Sequence, residues 1–402
     1  MTLMSTISPL LPGVQPDGRA ATLGVLGGGQ LGRMFVHAAQ ALGYDTVVLD
    51  PDPSSPAGRA SHHFIQADYQ DENALHQLAA QAHAVTTEFE NVPAAALAAL
   101  ARTLAVSPVA EAVAIAQDRV REKAHFARCA ARSGVAPAPY AVISSEADLA
   151  AVPVALLPGI LKTARLGYDG KGQARVNNHA ELAAAWQRMG RAACVLEQLL
   201  PLAAECSVIV ARGRDGQVVS LPAQRNLHRS GILAVTEVYE QNLPSKQVHQ
   251  AQEATINIAN ELDYVGVLCV EYFVLEGGTL VVNEMAPRPH NSGHYTVDAC
   301  DQSQFDLQVR TLTGLPLVPP RQHSAAVMLN LLGDLWFDVE GAARTPPWAD
   351  LLALPGAHLH LYGKAQARPG RKMGHLTFTG ADAASVRAQA LRAAEMLGME
   401  AF

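Results

Sequence analysis

Residues 23–34 read LGVLGGGQLGRM, an apolar run that leads into the pattern Gly27-x-Gly29-x-x-Gly32. Glycines at this spacing, between a strand and a helix, are typical of loops that bind a dinucleotide pyrophosphate. Asp50 closes the next apolar run, near the position where an NAD enzyme keeps the acid that binds its ribose. The stretch predicts a strand–loop–helix unit. It leaves open whether the loop serves a dehydrogenase or another phosphate-binding enzyme.

The same alternation of short apolar runs and helical stretches continues to about residue 117. Strands are expected at 23–27, 45–49, 63–65 and 84–87, and helices at 30–42 and 71–82. Strands that alternate with helices predict a parallel sheet with helices on its faces. After residue 118 the pattern changes to a helix that ends at Gly134, several strands, and a final helix at 383–397.

The composition is that of an ordinary globular protein of several domains: 402 residues, 49% hydrophobic and 17% charged, with a formal net charge of −7. This charge argues against a broad nucleic-acid surface. No stretch predicts a signal peptide or a membrane span. The cysteines are odd in number and scattered, so they are interpreted as reduced core thiols of a cytoplasmic protein: Cys129, Cys194, Cys206, Cys269 and Cys300.

The segment 267–288, VLCVEYFVLEGGTLVVNEMAPR, predicts a hairpin around Gly277-Gly278. With a two-residue loop, Glu271 falls directly opposite Glu284. Like charges that face each other across a sheet are unfavourable, so this pair needs a cation, a shared proton or open solvent. One or two carboxylates completed by phosphate oxygens are what Mg²⁺ prefers, whereas an exposed hairpin with two nearby acids is the simpler alternative.

A dense polar segment follows the second strand of this hairpin. Its side chains are candidate catalytic groups: Arg288, His290, Asn291, Ser292 and His294. The two histidines are four residues apart, a spacing that binds zinc on a helix. Pro289 and Gly293 disfavour a regular helix here, so we reject zinc. Arg288 suits an anion such as bicarbonate or a transferring phosphoryl group.

A second candidate site begins at Lys162, at the end of an expected strand. The glycine-rich stretch GYDGKGQ, 167–173, follows and can bring backbone N–H groups and Lys171 over polyphosphate oxygens. It lacks the GK[ST] ending of a Walker A loop, and a plain hairpin turn is the commoner structure for such a stretch. Glu197, in the strand VLEQLL, is placed where it could contact an amino-purine.

Together these segments resemble the ATP-grasp superfamily, and within it the N5-carboxyaminoimidazole ribonucleotide synthetases of purine biosynthesis. The resemblance covers about residues 22–380. It is carried by GGGQLGRM, TTEFENV (86–92), QDR (117–119), LGYDGKGQ (166–173), NLHRSGIL (226–233), NEMAPRPHNSGH (283–294) and RPGRKMGH (368–375).

The resemblance implies a mixed α/β and α+β protein with an ATP-grasp fold, a Rossmann-like preATP-grasp domain with a parallel sheet, and a small β-rich C-terminal domain. The expected limits are 1–20 for a flexible leader, 21–117 for the preATP-grasp domain, 118–315 for the ATP-grasp domain with a lid at about 140–204, and 316–402 for the C-terminal domain.

The resemblance also implies the reaction. Bicarbonate attacks the γ-phosphate of ATP to give carboxyphosphate, and the amine of 5-aminoimidazole ribonucleotide captures this species or the CO₂ released from it. Mg²⁺, or Mn²⁺ in its place, and cationic side chains stabilise the phosphoryl transfer. Family members are typically homodimers, and neither a nucleic acid nor a membrane is an expected partner.

Residue roles are carried over by position. The metal ligands are Glu271 and Glu284. The expected ATP contacts are Arg119, Lys162, Gly167, Tyr168, Asp169, Gly170, Lys171, Gly172, Gln173, Glu197, Gln198, Leu199, Leu200, Glu205, His228, Asn283 and Glu284. The expected ribotide contacts are Gln30, Leu31, Glu88, Tyr168, Asp169, Lys364, Arg371 and Lys372.

On this interpretation the helix N-terminus at 29–32 receives the ribotide phosphate. His290, His294 and Asp169 all stay open as the proton acceptor of the amine. One departure from the family pattern is Lys171, where arginine is also common; a lysine keeps the charge but loses the bidentate fork. Another ATP-grasp ligase with a different acceptor and an NAD(P)-dependent oxidoreductase are the alternative functions.

Overall fold

The computed structural model describes residues 8–165, 167, 172–338 and 340–402. Its N-terminal part is a parallel sheet with the strand order β3-β2-β1-β4-β5. These strands are β1 (Thr22–Leu26), β2 (Asp45–Asp50), β3 (His63–Gln66), β4 (Ala84–Thr87) and β5 (Ala105–Val106). The accompanying helices are α1 (Gln30–Ala41), α2 (Glu72–Gln81), α3 (Ala94–Leu100) and α4 (Ala110–Ala116). The predicted alternation and the parallel sheet are confirmed.

The helix α5 (Arg119–Ser133) connects this sheet to the rest of the chain. Its N-terminus is capped by Asp118, whose side chain accepts hydrogen bonds from the N–H groups of Val120 and Arg121. It ends, as predicted, at Gly134, which adopts the left-handed conformation with φ of 66°.

A small antiparallel sheet follows, with the order β6-β9-β7-β8. Its strands are β6 (Tyr140–Ile143), β7 (Gly159–Thr163), β8 (Gln173–Val176) and β9 (Cys194–Gln198), with helices α6 (Glu146–Ala150) and α7 (His179–Arg188). A separate apolar core, which includes Leu161, Trp186 and Leu196, lies under this sheet. The predicted strands at Lys162 and Glu197 are therefore neighbours in one sheet.

The largest sheet is antiparallel and has the order β15-β14-β10-β12-β13-β16-β18-β17, with β11 also paired to the end of β10. Its strands are β10 (Leu202–Arg212), β11 (Val218–Ser220), β12 (Gln224–Arg229), β13 (Ile232–Val238), β14 (Gly266–Leu275), β15 (Leu280–Ala286), β16 (Ala325–Leu332), β17 (Ala357–Leu361) and β18 (Lys372–Gly380). The helices of this part are α8 (Ser245–Glu261), α9 (Thr296–Ala299), α10 (Gln304–Thr313), α11 (Trp348–Leu352) and α12 (Ala383–Leu397). The C-terminal strands pair with β13 through β16, so they extend the central sheet.

Residues 8–20, within the expected leader, make backbone contacts with the rest of the protein. Leu10 donates its N–H to the Thr313 carbonyl at 2.8 Å and accepts from the Tyr44 hydroxyl at 2.6 Å. Val14 and Ala20 form an antiparallel bridge. The backbone groups of this segment thus have partners on two different parts of the molecule, which a frayed terminus lacks. In the described residues, no helix is long and apolar enough to cross a membrane.

Candidate active site

A cavity of about 440 Å³ lies where α5, β7 and the large sheet converge. Half of the residues predicted to bind nucleotide or metal line it, although they come from distant parts of the sequence. These are Arg119, Lys162, Gly167, Gln173, Glu205, His228, Glu271, Asn283 and Glu284, together with the candidate catalytic residues Arg288, His290 and Asn291. The cavity therefore has a cationic wall from α5 and β7 and an acidic wall from the hairpin.

The acidic wall has the predicted register: Glu271 on β14 is paired with Glu284 on β15. The predicted loop is wrong, because Leu275 bonds to Thr279 and three residues, not two, form the turn. A β-bulge between Glu271 and Tyr272, which leaves Asn283 unpaired, restores the expected pairing at the acids. Glycine at 277 and 278 has φ of 93° and 85°, as this wider turn requires.

Each acid of the pair has a cationic or imidazole partner. Glu271 lies 2.9 Å from His290 Nε2, and Glu284 lies 3.1 Å from Arg119 Nη1. Burial alone would raise the pKa of Glu271, but His290 outweighs it and holds this pKa well below its usual range. Glu271 is therefore charged near neutral pH. Together with the buried Asn283 Oδ1, which has no hydrogen-bond partner among the described residues, the two acids form an oxygen donor set that fits a Mg²⁺ ion.

The cationic wall is organised by a buried ion triad. Glu197 lies 3.1 Å from Lys162 Nζ and 3.2 Å from Lys123 Nζ, and Lys123 is fully buried. Burial favours a raised pKa for Glu197, yet the two lysines lower it. The Glu197 carboxylate thus holds Lys162 at the cavity edge and does not itself line the cavity. Lys123 also donates to the Asn283 carbonyl at 2.8 Å, which ties α5 to the bulge.

Glu122 is a further buried acid at the cavity base that sequence reasoning did not single out. It accepts a hydrogen bond from Met285 N–H at 2.8 Å. Burial raises the pKa of Glu122 to about 8, against the opposing effect of Arg119. Glu122 and Lys123 follow Arg119 on α5 by three and four residues. This spacing places the three side chains on the same face of the helix, which is the signal in the sequence that could have identified them.

A smaller cavity of about 160 Å³ shares a wall with the first. Its lining contains four of the residues predicted to bind the ribotide, namely Gln30, Leu31, Glu88 and Lys372. The shared wall is formed by Glu90, Arg288, His290, Asn291 and Lys372. Three of the five candidate catalytic residues, Arg288, His290 and Asn291, therefore lie between two cavities, which is where a group passed from one ligand to another has to travel.

Arg288 in this shared wall is fixed by Glu90 through an ion pair between its Nε and the carboxylate. Burial would raise the pKa of Glu90, but Arg288 lowers it to about 2. In turn Glu90 raises the pKa of Arg288 against burial, so both groups stay charged. Sequence reasoning quoted TTEFENV but selected only Glu88; Glu90, two residues later, was missed.

The glycine loop of β1 and α1 is occupied by carboxylates of the protein itself. Glu88 accepts from the N–H groups of Gly29 and Gly32, the latter at 2.7 Å, and Asp50 accepts from Gly28 N–H at 2.6 Å. A Cβ at position 27 would lie 2.2 Å from Glu88 Cγ. Glu88 thus engages the N–H groups of Gly29 and Gly32, whereas Gln30 and Leu31 line the smaller cavity, and the phosphate contact of this helix N-terminus stays a prediction.

Contacts within the protein also occupy the two elements on which the dehydrogenase alternative depends, the glycine loop and Asp50. Asp50 is buried and accepts from Gly28 N–H, from Asp52 N–H at 2.8 Å and from the Tyr69 hydroxyl at 2.6 Å. It is thus engaged within the protein and not turned towards a ribose. The glycines allow close approach of protein side chains, not of a pyrophosphate.

The segment 288–294 forms a short 3₁₀ turn at Asn291–Gly293, which agrees with the rejection of a regular helix. Ser292 is fully buried, and its hydroxyl lies 2.8 Å from both His290 Nδ1 and Ser207 Oγ. Ser292 N–H also points at His290 Nδ1 at 3.3 Å, which assigns the His290 proton to Nε2, facing Glu271. Both polar side-chain atoms of Asn291 are buried without a partner among the described residues, as expected for a ligand contact.

His294 and Ser292 do not reach the cavities. His294 is fully buried and packs on Phe305 and on His375, with ring centroids 5.8 and 4.9 Å apart. Burial keeps the pKa of His294 well below its usual value, so the ring is neutral. Its place beneath the wall leaves His290 as the histidine of this segment that faces both cavities.

The remaining predicted residues lie at the edges of the site. Lys364 Nζ donates to the Lys372 carbonyl at 2.7 Å, and Arg371 Nη1 donates to the Gln366 carbonyl at 2.8 Å. Gln198 and Leu199 contribute backbone hydrogen bonds to Pro139 and Pro158, next to Leu200. Gly172 accepts from Thr163 N–H at 2.9 Å. Four predicted contacts lie outside the described residues: Tyr168, Asp169, Gly170 and Lys171.

Comparison with known proteins agrees with this arrangement along the chain. Residues 20–117 match the ribonucleotide synthetase preATP-grasp domain, residues 128–305 the ATP-grasp domain, and residues 326–389 the phosphoribosylaminoimidazole carboxylase C-terminal domain. N5-carboxyaminoimidazole ribonucleotide synthase from Brucella melitensis is 44% identical over 360 residues, which cover 89% of this chain and 96% of that protein. The chain belongs to the N5-carboxyaminoimidazole ribonucleotide synthase family.

Solved structures of this family share the fold. The synthetase from Staphylococcus aureus in complex with ADP aligns with a TM-score of 0.84 at 36% identity, and covers 93% of this chain and 96% of its own. The synthase from Aspergillus clavatus, in complex with ADP and 5-aminoimidazole ribonucleotide, aligns with a TM-score of 0.83 at 30% identity. The alignment covers 94% of this chain and 98% of that synthase. The predicted ATP-grasp fold with its preATP-grasp and C-terminal regions is confirmed; the predicted domain limits stay a prediction.

Proposed function

We propose how this chain carries out the activity of its family, the ATP-dependent carboxylation of 5-aminoimidazole ribonucleotide to N5-carboxyaminoimidazole ribonucleotide in purine biosynthesis. The observation that carries the proposal is the direct pairing of Glu271 with Glu284 on the wall of the larger cavity. ATP binds in this cavity, and the ribotide binds in the smaller one. The two ligands meet at the shared wall.

At the ATP end, Lys162 and Arg119 contact the phosphates, and Glu205 and His228 contact the nucleoside. His228 pairs with Glu205; burial lowers the pKa of His228, but the two acids Glu205 and Glu271 raise it overall. Glu271 and Glu284 would hold Mg²⁺, which neutralises charge on the β- and γ-phosphate oxygens when bound. Arg119 is held against Glu284, so the cation and the acid are oriented together.

At the shared wall, Arg288 and Asn291 bind bicarbonate. A bicarbonate oxygen attacks the γ-phosphorus, the bond to the β-phosphate oxygen breaks, and ADP leaves. The ribotide amine then attacks the carboxyl carbon of carboxyphosphate, or CO₂ released from it, and phosphate leaves. Arg288 stays charged because of Glu90, so it can stabilise the anion through both steps.

We infer that His290 is the histidine of this segment that contacts the ribotide amine. It faces both cavities, whereas His294 is fully buried and Asp169 lies outside the described residues. Ser292 and Glu271 hold the two ring nitrogens of His290 and thereby fix its orientation.

Phosphate release by the purified chain tests this assignment. With ATP, Mg²⁺ and bicarbonate, release should accelerate when 5-aminoimidazole ribonucleotide is added, and the carboxylated product should form in equal amount. Formate in place of bicarbonate should not support product formation. Product formation with formate would indicate a different ATP-grasp ligase. A change in nicotinamide absorbance under any of these conditions, or phosphate release that ignores the ribotide, would contradict the proposal.

We also infer that the chain works in the cytoplasm as a homodimer. The five cysteines are buried free thiols, which suits a reducing compartment. The homodimer is inferred from the family, whose members are typically homodimers. Light scattering of the purified protein measures its mass, and the mass of a single chain would contradict the inference.

A further inference from the structure

A cluster of imidazoles and one carboxylate lies on the C-terminal strands, apart from the residues assigned to ATP, metal and ribotide. Asp298 of α9, His360 of β17 and His375 of β18 each offer one ligand atom, and these atoms lie within 4.8 Å of one another. His360 and His375 are cross-strand partners. A second histidine of β17, His358, lies on the same face, with Nδ1 3.7 Å from Asp298 Oδ1.

The outer nitrogens of two of these rings are held by hydroxyl groups. His375 Nδ1 lies 3.0 Å from the Tyr362 hydroxyl, and His358 Nε2 lies 2.9 Å from Thr379 Oγ1. Metal-binding histidines usually have their other ring nitrogen fixed in this way by a neighbouring group. For His375, Nε2 is thus the nitrogen left for coordination.

The His375 ring gives the independent sign of a ligand. It is fully buried, and its Nε2 has no hydrogen-bond partner among the described residues. A buried ring nitrogen without a partner is costly, since it loses water and gains nothing in return. The ring of His360 stacks on it at 4.5 Å between centroids, and His360 Nε2 lies 2.9 and 3.1 Å from the two Asp298 oxygens.

We propose that Asp298, His360 and His375 bind a divalent transition-metal ion of the zinc class. Imidazole nitrogens with one carboxylate suit zinc, cobalt or nickel, whereas magnesium prefers oxygen ligands alone. The ion enters between His360 Nε2 and Asp298, in place of their direct hydrogen bond. It is therefore a different ion, at a different place, from the one held by Glu271 and Glu284.

Such an ion would cross-link three elements behind the active site. Asp298 belongs to α9, which follows the segment with His290 and His294, and β18 begins at Lys372 in the shared wall. His294 packs on His375. The ion would hold this layer rigid, so we expect its main effect on stability, with the chemistry left to the residues of the cavities.

Metal titration of the full chain, stripped with a chelator, tests the proposal. Zn²⁺ should bind at about one ion per chain and raise the melting temperature, and Co²⁺ should give the intense visible absorption of a tetrahedral nitrogen–oxygen site. Excess Mg²⁺ should displace neither ion. Absence of stoichiometric Zn²⁺ binding, or displacement by Mg²⁺, would overturn it.

Variants then locate the ion. Asp298→Asn and His360→Ala should each weaken Zn²⁺ binding by roughly tenfold or more and abolish the Co²⁺ spectrum. Asp298→Asn keeps the size of the side chain, and circular dichroism of both metal-free variants checks that they fold. His249→Ala, an exposed histidine of α8, is the control and should bind as the parent does. Equal binding by all three variants, or loss in the control alone, would show that the ion lies elsewhere.

Discussion

The glycine loop at 27–32 and the acid pair on the β14–β15 hairpin differ in the partners that their polar groups bind. At the loop, backbone N–H groups that could bind a phosphate already bind Glu88 and Asp50. At the hairpin, two carboxylates face one cavity, and their partners are the side chains of His290 and Arg119, on its other walls.

The difference shows why a phosphate-binding pattern need not mark a phosphate site. Short glycine motifs specify that something anionic approaches the backbone closely, and a buried carboxylate meets that requirement as well as a ligand does. Paired acids instead concentrate like charge on one cavity wall, where the protein places one cation, Arg119, and one imidazole, His290, beside them. The hairpin is therefore the better indicator of ligand chemistry.

The largest expected effect is at the hairpin, with Glu284→Gln. This change keeps the shape of the side chain but removes a negative charge beside Glu271, so kcat should fall roughly 100- to 1000-fold. Steady-state product formation with saturating ATP, Mg²⁺ and ribotide measures it. Glu276→Gln, at the exposed tip of the same hairpin, is the matched control and should be as active as the parent. A Glu284→Gln enzyme with unchanged kcat would remove the basis for a metal at the pair.

The next effect is at the loop, with Gly27→Ala. Gly27 has φ of 108°, and an added Cβ would lie 2.2 Å from Glu88 Cγ. We expect a loss of about 3 kcal/mol in the free energy of unfolding, from backbone strain and displacement of Glu88. Urea denaturation measures it. Gly13→Ala is the control, because φ there is 100° but an added Cβ has open space around it. It measures the cost of backbone strain alone, and its loss in the free energy of unfolding should be smaller. Equal losses would mean that the close packing of Glu88 contributes nothing.

A change at the rim of the ribotide cavity should have a smaller and selective effect. Arg371 lies next to Lys372 of that cavity, and Arg371→Ala should raise KM for the ribotide about tenfold, by loss of one charge-assisted contact to phosphate. KM for ATP should change little. The exposed Arg368, three residues earlier, provides the control variant Arg368→Ala. Parallel rises in both KM values would argue against a role in ribotide binding.

The smallest effect concerns pH and the pair that joins the two regions, Glu90 and Arg288. The pKa of Glu90 is lowered from its usual value of 4.5 to about 2, so the pair stabilises the fold above pH 4.5 and loses this contribution as pH falls towards 2. The stability advantage over Glu90→Gln should therefore shrink by about 1 kcal/mol between roughly pH 5 and 3.5.

Denaturation curves of both proteins across this range measure the change. Glu111→Gln, which removes an exposed partner of Arg121, is the control and should differ from the parent by less than about 0.5 kcal/mol at each pH. A stability difference that stays constant with pH would mean that Glu90 is not held by Arg288 in this way.

Much of the site could be predicted because the residues lie in local patterns. The hairpin register was correct at Glu271 and Glu284 even though the turn was wrong, since the bulge at Asn283 compensates for the extra turn residue. No sequence rule predicted that compensation. Lys123 and Glu122 escaped notice because charged residues on a helix are usually solvated, and burial depends on what packs against that face.

By itself, the sequence determined the order of helices and strands, the close-approach glycines at 27–32 and the chemistry of the segment 283–294, because periodicity and residue type act within a few neighbours. Only the tertiary structure decided that Glu88 and Asp50 close the glycine loop, that Glu197 serves two buried lysines, and that His294 stacks on His375 behind the wall. Those contacts join residues that are distant along the chain. Which carboxylate meets which donor is then set by the packing of whole sheets, which no local pattern encodes.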